Sequence, residues 1–403
     1  MTVVWISDYP VEWMADLPEP ARALPKGHTI TWMPVLLEEL ARNPAVRLHV
    51  VVVRKTAAHD FSFERNGVTF HILKVRGGLR APSLFWTDTR PIQRLLREIK
   101  PDLVHAWGSE RGAALIASRL GYPYVVTIQG LLTWYRQLVP LNLHEHFAAW
   151  LEHFSLKRAG VVTTESAFAV DYLQRKYPRM RVHQAEHASN WLFHAIERRP
   201  QTQPVRFITV GTLGYRKGTD LLLRALNRLT SEFPFELVVV GSPTSDLIET
   251  LKPELSPELW RRVTFKKGLT PAEVAAELAV ATISVLPTRA DTSPNAVKEA
   301  VVAGVPVVAS RIGGIPDYVF PGENGLLFES GDLEGFVAAL RAAARHPLFG
   351  QGRVDAACWE RTRAYLSPKR MEQRFLEAYQ LALEQKAGMN GQTKHLGKGF
   401  AGL

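Results

Sequence analysis

The stretch of sequence that decides the fold is residues 282–310, which read TISVLPTRADTSPNAVKEAVVAGVPVVAS. Two short apolar runs flank a segment that has the period of a helix. Ser293 is a residue type that caps helix N-termini, and Pro294 suits the first helical position, where its missing N–H costs nothing. Gly304 then ends the helix, and Pro306 prevents its continuation. The stretch therefore predicts a strand, a helix and a second strand, the unit from which parallel sheets are built.

The same alternation of strands and helices continues in both directions. Between Val46–Val53 and Val68–Val75 no helix intervenes, which predicts a hairpin or an added edge strand there. Strands that alternate with amphipathic helices imply a parallel sheet covered on both faces. The predicted fold class is α/β, with two Rossmann-like, doubly wound parallel-sheet domains that face each other across a cleft. The strand candidates are Thr2–Ser7, Val46–Val53, Val68–Val75, Asp102–Trp107, Tyr124–Gln129, Gly160–Glu165, Arg181–Ala185, Val205–Val210, Glu236–Gly241, Val263–Lys267, Thr282–Pro287 and Val305–Ser310.

A polar segment with two prolines, residues 198–204, separates the two halves and is typical of a linker. We therefore expect domains at residues 1–198 and 199–366. A helix follows at residues 367–386, and its apolar stripe predicts that it packs back on the N-terminal domain. Residues 387–403 are rich in glycine and polar residues and are expected to form a flexible tail.

Two acidic residues accompany the helix in the deciding stretch. Asp291 lies in the loop ahead of the helix, and Glu299 shares one helical face with Asn295, four residues before it. Two carboxylates at this spacing can reach different parts of one elongated ligand. The alternative is that Asp291 only caps the helix and that Glu299 is a solvated surface glutamate.

A second candidate site follows the strand Val205–Val210. Gly211, Gly214 and Gly218 free backbone N–H groups at the start of a helix, and Arg216 and Lys217 add two positive charges. A helix N-terminus with cations beside it suits a phosphate or a diphosphate. The spacing matches neither the dinucleotide-binding G-x-G-x-x-G motif nor the P-loop.

A third loop carries Gly313 and Gly314, after the strand Val305–Ser310. Paired glycines let a ligand approach the backbone closely, although a simple turn would also use them. All three loops follow strands of the same predicted sheet. We therefore expect them to meet at one rim, where parallel sheets bind their ligands.

Together these motifs resemble the donor domain of retaining glycosyltransferases of family four, the glycosyl transferases of group 1, which have the GT-B fold. The resemblance rests on the Gly-x-Leu…Lys-Gly turn, on the acid-x7-Glu helix that ends in Ala-x-x-Ala-Gly-x-Pro-Val, and on the Gly-Gly-Ile-Pro-Asp and Gly-Glu-Asn-Gly-Leu-Leu turns between residues 205 and 325. The first half resembles the acceptor domain more loosely, through PDLVHAW at 101–107 and PYVVTIQG at 123–130.

The resemblance implies a role for each matching residue. Lys217 and Arg216 would hold the donor diphosphate, Glu299 the ribose hydroxyls, and Asp291 the hydroxyls of the transferred sugar. It makes Asp291, Lys217 and Arg216 the expected catalytic residues. The expected donor-binding residues are Gly211, Arg216, Lys217, Gly241, Gly268, Asn295, Glu299, Gly313 and Gly314, and the expected acceptor-side residues are His28, His105 and Gln129.

Three positions depart from the family pattern. Asp291 replaces the usual glutamate, which shortens its reach by one methylene. Thr212 stands where many members have an arginine, which makes Arg216 the second cation. Gln129 occupies the place of a histidine near the reaction centre.

The bulk composition excludes several classes of protein. The chain of 403 residues has a net charge of +10 and a single cysteine, which fits a reducing compartment and excludes an internal disulfide framework. No run reaches the ~20 apolar residues of a membrane helix. We expect a cytoplasmic protein, and the excess of Lys and Arg in the first half favours either contact with an anionic partner, such as the inner face of a membrane, or an ordinary basic surface.

The predicted function is transfer of a sugar, with retention, from a nucleotide-diphosphate sugar to a saccharide or lipid-linked acceptor in cell-surface polysaccharide or glycolipid synthesis. Neither a metal nor a cofactor is expected, because protein cations face the diphosphate, and no nucleic-acid partner is expected. Two alternatives remain: a nucleotide-sugar epimerase of similar architecture and a non-catalytic nucleotide-sugar-binding protein. Trp134 and Tyr135, which follow Gln129, would stack on an acceptor sugar, contact an interface or lie in the core.

Overall fold

A computed structural model describes residues 1–26, 31–212, 214–242 and 245–398 of the chain, with side chains described up to residue 387 apart from those of residues 245 and 246. The first half forms an eight-stranded sheet in the order β3-β4-β2-β1-β5-β6-β7-β8. Every neighbouring pair except β3–β4 is parallel. The strands are β1 Thr2–Ser7, β2 Arg47–Arg54, β3 Phe61–Arg65, β4 Val68–Lys74, β5 Leu103–Trp107, β6 Tyr124–Thr127, β7 Val161–Thr164 and β8 Arg181–Gln184.

Helices cover both faces of this sheet, as the alternation predicts. Val4 and Ile6 of β1 pack on one hydrophobic cluster, whereas Val3 and Trp5 pack on the other, because successive side chains of a strand point to opposite faces. The helices of this half are α1 Glu19–Arg22, α2 Trp32–Arg42, α3 Trp86–Ile99, α4 Ala113–Ala117, α5 Leu132–Tyr135, α6 Leu143–Leu156, α7 Ala167–Lys176 and α8 Trp191–His194.

The hairpin expected between β2 and β4 is not formed by those two strands. They pair parallel to each other, with His49 opposite Thr69. The hairpin instead joins β4 to β3, which is an added edge strand, the other alternative offered by the sequence, although no strand candidate covered its residues. Because β3 is only half-buried along its length, its side chains are mixed in polarity and lack the apolar run of the other strands.

The second half forms a six-stranded parallel sheet in the order β11-β10-β9-β12-β13-β14, with a separate hydrophobic cluster on each face. Phe193 of α8 packs into one of these clusters, so the chain reaches the second domain before the linker at residues 198–204. Strands and helices of this half are β9 Val205–Val210, α9 Thr219–Leu229, β10 Phe235–Val240, α10 Ser245–Leu251, α11 Pro257–Arg262, β11 Val263–Lys266, α12 Pro271–Val280, β12 Ile283–Leu286, α13 Asn295–Val302, β13 Val307–Ser310, β14 Gly325–Phe328, α14 Leu333–Arg345, α15 Ala356–Tyr365 and α16 Pro368–Lys398.

The last helix, α16, returns to the first domain. Met371, Phe375 and Tyr379 are buried in the same cluster as Trp5 of the first sheet. The helix continues to Lys398, beyond residue 386, where the sequence placed the start of a flexible tail. The residues just past that point, Lys386 and Ala387, are good helix formers, so nothing local ends the helix there.

Candidate active site

The loops that follow β9 and β12 are joined to each other by several hydrogen bonds. Arg289 donates from its backbone N–H to the carbonyl of Arg216 at 2.7 Å, and its guanidinium forms a bidentate ion pair with Asp220 at 2.6 and 2.8 Å. A Cβ on Gly218 would lie 1.8 Å from the carbonyl oxygen of Pro287, so only glycine fits at this crossing of two backbones. The crossing fixes Lys217 against the second loop.

Arg216 and Lys217 converge on Asp291, as the sequence predicts for a shared rim. Lys217 Nζ forms an ion pair with Asp291 Oδ2, and Arg216 Nη1 lies 3.8 Å from the same oxygen. Arg216 also donates to the carbonyl of Ala290 at 2.9 Å. The Lys217 and Asp291 side chains are mostly buried, whereas Arg216 is partly exposed. Two cations and a carboxylate thus meet at the edge of the second sheet.

Asp291 also holds the start of α13 in place. Its Oδ1 accepts a hydrogen bond from the backbone N–H of Ser293 at 3.2 Å. The helix itself begins at Asn295 with Pro294 as its N-cap, so the predicted cap at Ser293 is one residue too early. Ser293 instead places its hydroxyl 3.3 Å from that of Tyr318.

Gly313 and Gly314 complete the rim from the loop after β13. A Cβ on Gly313 would lie 1.9 Å from the carbonyl oxygen of Asp291, and one on Gly314 would lie 2.4 Å from Cβ of Ser166 in the first domain. The backbone N–H of Gly314 donates to the carbonyl of Thr292 at 2.7 Å. These glycines let the loop contact both Asp291 and the opposite domain.

Glu299 lies on α13 and is only 8% exposed. No other described side chain forms a hydrogen bond or an ion pair with its carboxylate. Burial raises the pKa of the Glu299 carboxyl to about 8, against the opposing effect of the neighbouring Lys298 charge. A buried carboxylate without donors is suited to a ligand that brings hydroxyl groups.

We expect Glu299→Gln to raise the melting temperature at pH 9 and to leave it nearly unchanged at pH 5. The folded-state pKa of about 8 lies above the unfolded value of 4.5, so the folded state binds more protons between these values. The free energy of unfolding therefore falls as pH rises through this window, and glutamine removes that loss. Each kcal/mol regained should raise the melting temperature by about 2–4 °C.

Thermal unfolding followed by fluorescence from pH 5 to 9 measures this difference. Glu254→Gln is the control, because Glu254 is half-exposed and pairs with Arg224. Parallel pH profiles for the wild type and Glu299→Gln would contradict the raised pKa.

Gly241 and Gly268, which the resemblance places near the base of the donor, follow β10 and β11, and Gly211 of the expected diphosphate turn follows β9. Gly241 has a φ of +145°, and a Cβ there would lie 2.0 Å from the carbonyl oxygen of Gly211. Gly268 has a φ of +67°, a left-handed conformation that favours glycine. Asn295, half-buried, lies one helical turn before Glu299. Contact of these residues with a nucleotide stays a prediction.

On the opposite domain, the segment after β6 contacts the same rim. The backbone N–H of Leu131 donates to Thr292 Oγ1 at 3.3 Å, and the Tyr135 hydroxyl lies 2.9 Å from the same oxygen. Thr292 in turn donates from its N–H to the Tyr135 hydroxyl at 3.1 Å. Gln129, half-buried, lies two residues before Leu131 and therefore close to this contact. Tyr135 and Trp134 are buried, and Tyr135 also lies at the contact between the two domains, in agreement with two of the three alternatives offered by the sequence.

His105 is not an acceptor-side residue, contrary to the expectation from sequence. It is fully buried in β5, with Nδ1 at 2.8 Å from the Tyr379 hydroxyl and Nε2 at 2.6 Å from Thr127 Oγ1. Strand alternation turns its side chain into the core beneath α16, so both ring nitrogens have partners inside the protein. His28 lies outside the described residues.

A buried ion pair joins the two domains directly behind the site, and sequence analysis missed it. Lys298 of α13, only 1% exposed, pairs with Glu165, which follows β7. His187 Nδ1 lies 3.1 Å from the other Glu165 oxygen. Burial would raise the pKa of the Glu165 carboxyl, but the nearby His187 and Lys298 charges lower it to about 2. The one sequence signal was a lysine directly beside the valine and alanine residues of the helical segment.

A cavity of about 230 Å³ opens beside the rim, between the two domains. The first domain supplies one wall, and Tyr215 and Arg216 of the second domain supply the other. The first-domain wall consists of Leu132, Tyr135, Val139, Pro140, Leu141 and Glu145. Its lining combines apolar side chains with the polar groups of Glu145 and of Arg216, whose guanidinium contacts Ala290.

The residues that the structure describes contain no group of three or more His, Cys, Asp or Glu side chains that could hold a metal ion. In the same part of the chain, no helix combines the length and apolar character needed to cross a bilayer.

Known proteins resemble the chain over parts that range from about a third to about three quarters of its length. A glycogen synthase of Mycobacterium tuberculosis is 28% identical over 326 residues, which cover 76% of this chain and 74% of that protein. A GDP-mannose-dependent alpha-(1-6)-phosphatidylinositol monomannoside mannosyltransferase of Mycolicibacterium smegmatis is 30% identical over 134 residues, 31% of this chain and 35% of that one.

Solved structures share the fold of the whole chain. Sucrose-phosphate synthase from Thermosynechococcus elongatus superposes with a TM-score of 0.68 at 18% identity, covering 98% of this chain and 99% of that one. The HepE protein of Anabaena, solved in complex with UDP-glucose, has a TM-score of 0.63 at 14% identity and covers 94% and 98%. These neighbours are glycosyltransferases of the GT-B fold, with two parallel-sheet α/β domains.

The family models match both halves of the chain. The glycosyl transferase 4-like domain matches residues 34–186, and the glycosyl transferases group 1 family matches residues 204–346. The second match includes the loops that carry Lys217, Asp291 and Gly313, together with Glu299. The chain is therefore a glycosyltransferase that belongs to group 1, with the GT-B fold.

Proposed function

We propose that the protein transfers a hexose from a nucleotide-diphosphate sugar to a saccharide or lipid-linked acceptor, with Lys217 and Arg216 binding the diphosphate. The observation that carries this proposal is the convergence of both cations on Asp291, just ahead of the helix whose Glu299 carboxyl has no partner among the described side chains. Asp291 then binds hydroxyls of the transferred sugar, and Glu299 binds the ribose hydroxyls. The HepE complex with UDP-glucose supports a nucleotide-sugar donor for a protein of this fold.

Charge development explains how these residues accelerate the reaction. Breaking the bond between sugar and phosphate leaves negative charge on the diphosphate and positive charge on the sugar. Lys217, Arg216 and the N-terminus of α9 lie together at this rim and stabilise the first charge. The Asp291 carboxylate faces the second. We propose that protein cations carry this role without a metal ion.

The acceptor side is formed by the first domain. Leu131 and Tyr135 contact Thr292 and so bring that domain against the rim, with Gln129 two residues before Leu131. The acceptor therefore binds in the space between the domains. We propose transfer with retention, by attack from the face that the diphosphate leaves, as in the family that the motifs resemble. The glycogen synthase relative supports a role in polysaccharide synthesis. We also propose a cytoplasmic location, which the single cysteine, buried and free, supports.

Nucleotide-sugars should raise the melting temperature of the protein, and one base and sugar should do so more than the others. A ligand that binds the folded state stabilises it by about 2.7 kcal/mol at 100 times its Kd. UDP-, GDP- and ADP-linked sugars can be compared by thermal shift, with Glu299→Gln as the variant in which the increase should shrink. Nuclear magnetic resonance of the product then reads its anomeric configuration.

Other outcomes of the same assays separate the alternatives. Release of an epimerised sugar nucleotide without acceptor would favour an epimerase. A thermal shift with neither transfer nor hydrolysis, across a panel of saccharide and lipid-linked acceptors, would favour a binding protein. No shift with any nucleotide-sugar would contradict the proposal.

A further inference from the structure

The outward side of α6 carries a stripe of exposed apolar side chains. Leu143 is 90% exposed and Trp150 is 46% exposed. Phe147 and Phe154 lie between and beyond them on the same helical face, and the Trp150 ring stacks on both at centroid distances of 5.8 and 5.3 Å. Leu138, in the loop before the helix, is also exposed. Phe147 and Phe154 are half-buried, so the exposed apolar area comes from Leu138, Leu143 and Trp150, a cluster of the kind that marks an interaction site.

Guanidinium groups extend this stripe at the C-terminal end of α6. Arg158 lies over the Phe154 ring at 3.7 Å, and Arg119 lies over the exposed Trp86 ring at 4.5 Å. Both donate to backbone carbonyls, and among the described residues neither forms an ion pair with a carboxylate. Burial lowers the pKa of the Arg119 guanidinium, and the nearby charge of Arg158 lowers it further.

Three more cations lie around His153 of α6. Burial lowers the pKa of His153, and the further causes are the charges of Lys157, Lys176 and Arg136. No described carboxylate forms an ion pair with any of these three. The acid on the adjacent helix α7, Asp171, already pairs with Arg175. We call the stripe and its cations the α6 surface: Trp86, Arg119, Arg136, Leu138, Leu143, Phe147, Trp150, Phe154, Lys157, Arg158 and Lys176.

We propose that the α6 surface docks the enzyme on an anionic lipid bilayer. Leucine and aromatic side chains beside basic groups are the composition of helices that lie in the bilayer interface. Each Lys or Arg near an anionic membrane surface contributes about 1 kcal/mol. The unpaired cations provide the charge complementarity, and the stripe provides the apolar area that enters the headgroup region.

The ring geometry disfavours single-stranded nucleic acid as the partner. Bases stack on open aromatic faces. Here the Trp86 and Phe154 faces are covered by guanidiniums, and Trp150 is stacked between two phenylalanines. Leu143, the most exposed apolar side chain of the surface, offers no ring at all.

The location of the α6 surface connects the bilayer to the reaction centre. The segment that ends in Leu143 begins at Leu132, and its residues Val139 and Leu141 line the cavity that Arg216 closes from the other domain. A lipid-linked acceptor held at the membrane would therefore reach the donor diphosphate along an apolar wall. This last step rests on the proposed function, whereas docking itself does not.

Cosedimentation with vesicles tests the docking. The wild-type protein should pellet with vesicles of phosphatidylcholine and 30 mol% phosphatidylglycerol, chosen as the anionic probe, and remain in the supernatant with phosphatidylcholine alone. Trp150→Glu/Arg158→Glu should weaken binding at least ~10-fold, because it removes interfacial area and replaces a cation by an anion. Leu348→Glu/Arg199→Glu, with exposed positions elsewhere, is the matched control and should bind like the wild type.

The remaining outcomes are decisive either way. Equal thermal shifts with nucleotide in both double variants establish that they are folded. Equal pelleting of wild type and Trp150→Glu/Arg158→Glu would overturn the proposal, as would absence of wild-type binding. Binding of an RNA oligomer in place of vesicles, lost in the same variant, would also overturn it. Lys217→Ala should pellet normally, so loss of transfer in that variant contradicts nothing about docking.

Discussion

Lys217→Ala is expected to lower kcat/KM for sugar transfer by about 10²–10³-fold, the size of effect seen when one fixed donor to a developing negative charge is removed. Lys217 is held against the second loop by the backbone crossing at Gly218, so no other side chain can move in to replace its charge. Arg216 remains, but it is committed to the carbonyl of Ala290 and is more exposed. Steady-state kinetics with varied donor measures the loss.

Two further variants separate charge from structure. Lys217→Arg keeps the charge and should recover part of the activity. Lys252→Ala, at an exposed lysine of the same domain that pairs with Glu249, should leave the kinetics unchanged. Near-normal transfer by Lys217→Ala, with wild-type melting behaviour, would remove the diphosphate assignment.

Lys298→Met is expected to lower the free energy of unfolding by about 3–5 kcal/mol, because it leaves the Glu165 carboxylate buried without its lysine partner. Burial then acts on Glu165 with less opposition, so its pKa should rise from about 2. The pH dependence should weaken as a result. The wild-type carboxylate contributes stability above the unfolded pKa and loses it as pH falls, and a variant pKa closer to the unfolded value leaves less stability to lose.

Chemical denaturation of a double-mutant cycle measures this coupling. Lys298→Met/Glu165→Gln should be more stable than Lys298→Met alone, since it removes both charges. Lys252→Met is the control, because Lys252 and its partner Glu249 are both exposed. Strictly additive effects in the cycle would show that the two side chains do not depend on each other.

Most of the fold could be predicted because its signals are local. Most strands of the second sheet are apolar runs, β9, β10 and β12 are followed directly by glycine or proline, and nearly all of the strands were found. The edge strand Phe61–Arg65 was missed because it alternates in polarity and contains charged residues. Gly325–Phe328 was interpreted as part of a turn, since Gly322 and Gly325 dominate its short sequence.

The candidate site divides in the same way. Lys217, Asp291 and Gly313 each lie in a loop with its own sequence signal, and the topology of a parallel sheet brings those loops together. The contacts of Tyr135 with Thr292 and of Glu165 with Lys298 join residues far apart in sequence. Each partner alone is an ordinary core or capping residue, so only the arrangement of the two domains identifies them.

The ion pair between Lys217 and Asp291 has a consequence for how the enzyme completes a turnover under the proposed function. A diphosphate that draws Lys217 away leaves Asp291, a mostly buried carboxylate, short of its partner. An intact sugar nucleotide restores that partner with its hydroxyls, but the nucleoside diphosphate left behind does not. Under the proposed function, the pair therefore favours binding of the intact nucleotide-sugar over the nucleoside diphosphate product. Release of the product is easier as a result, and product inhibition is reduced.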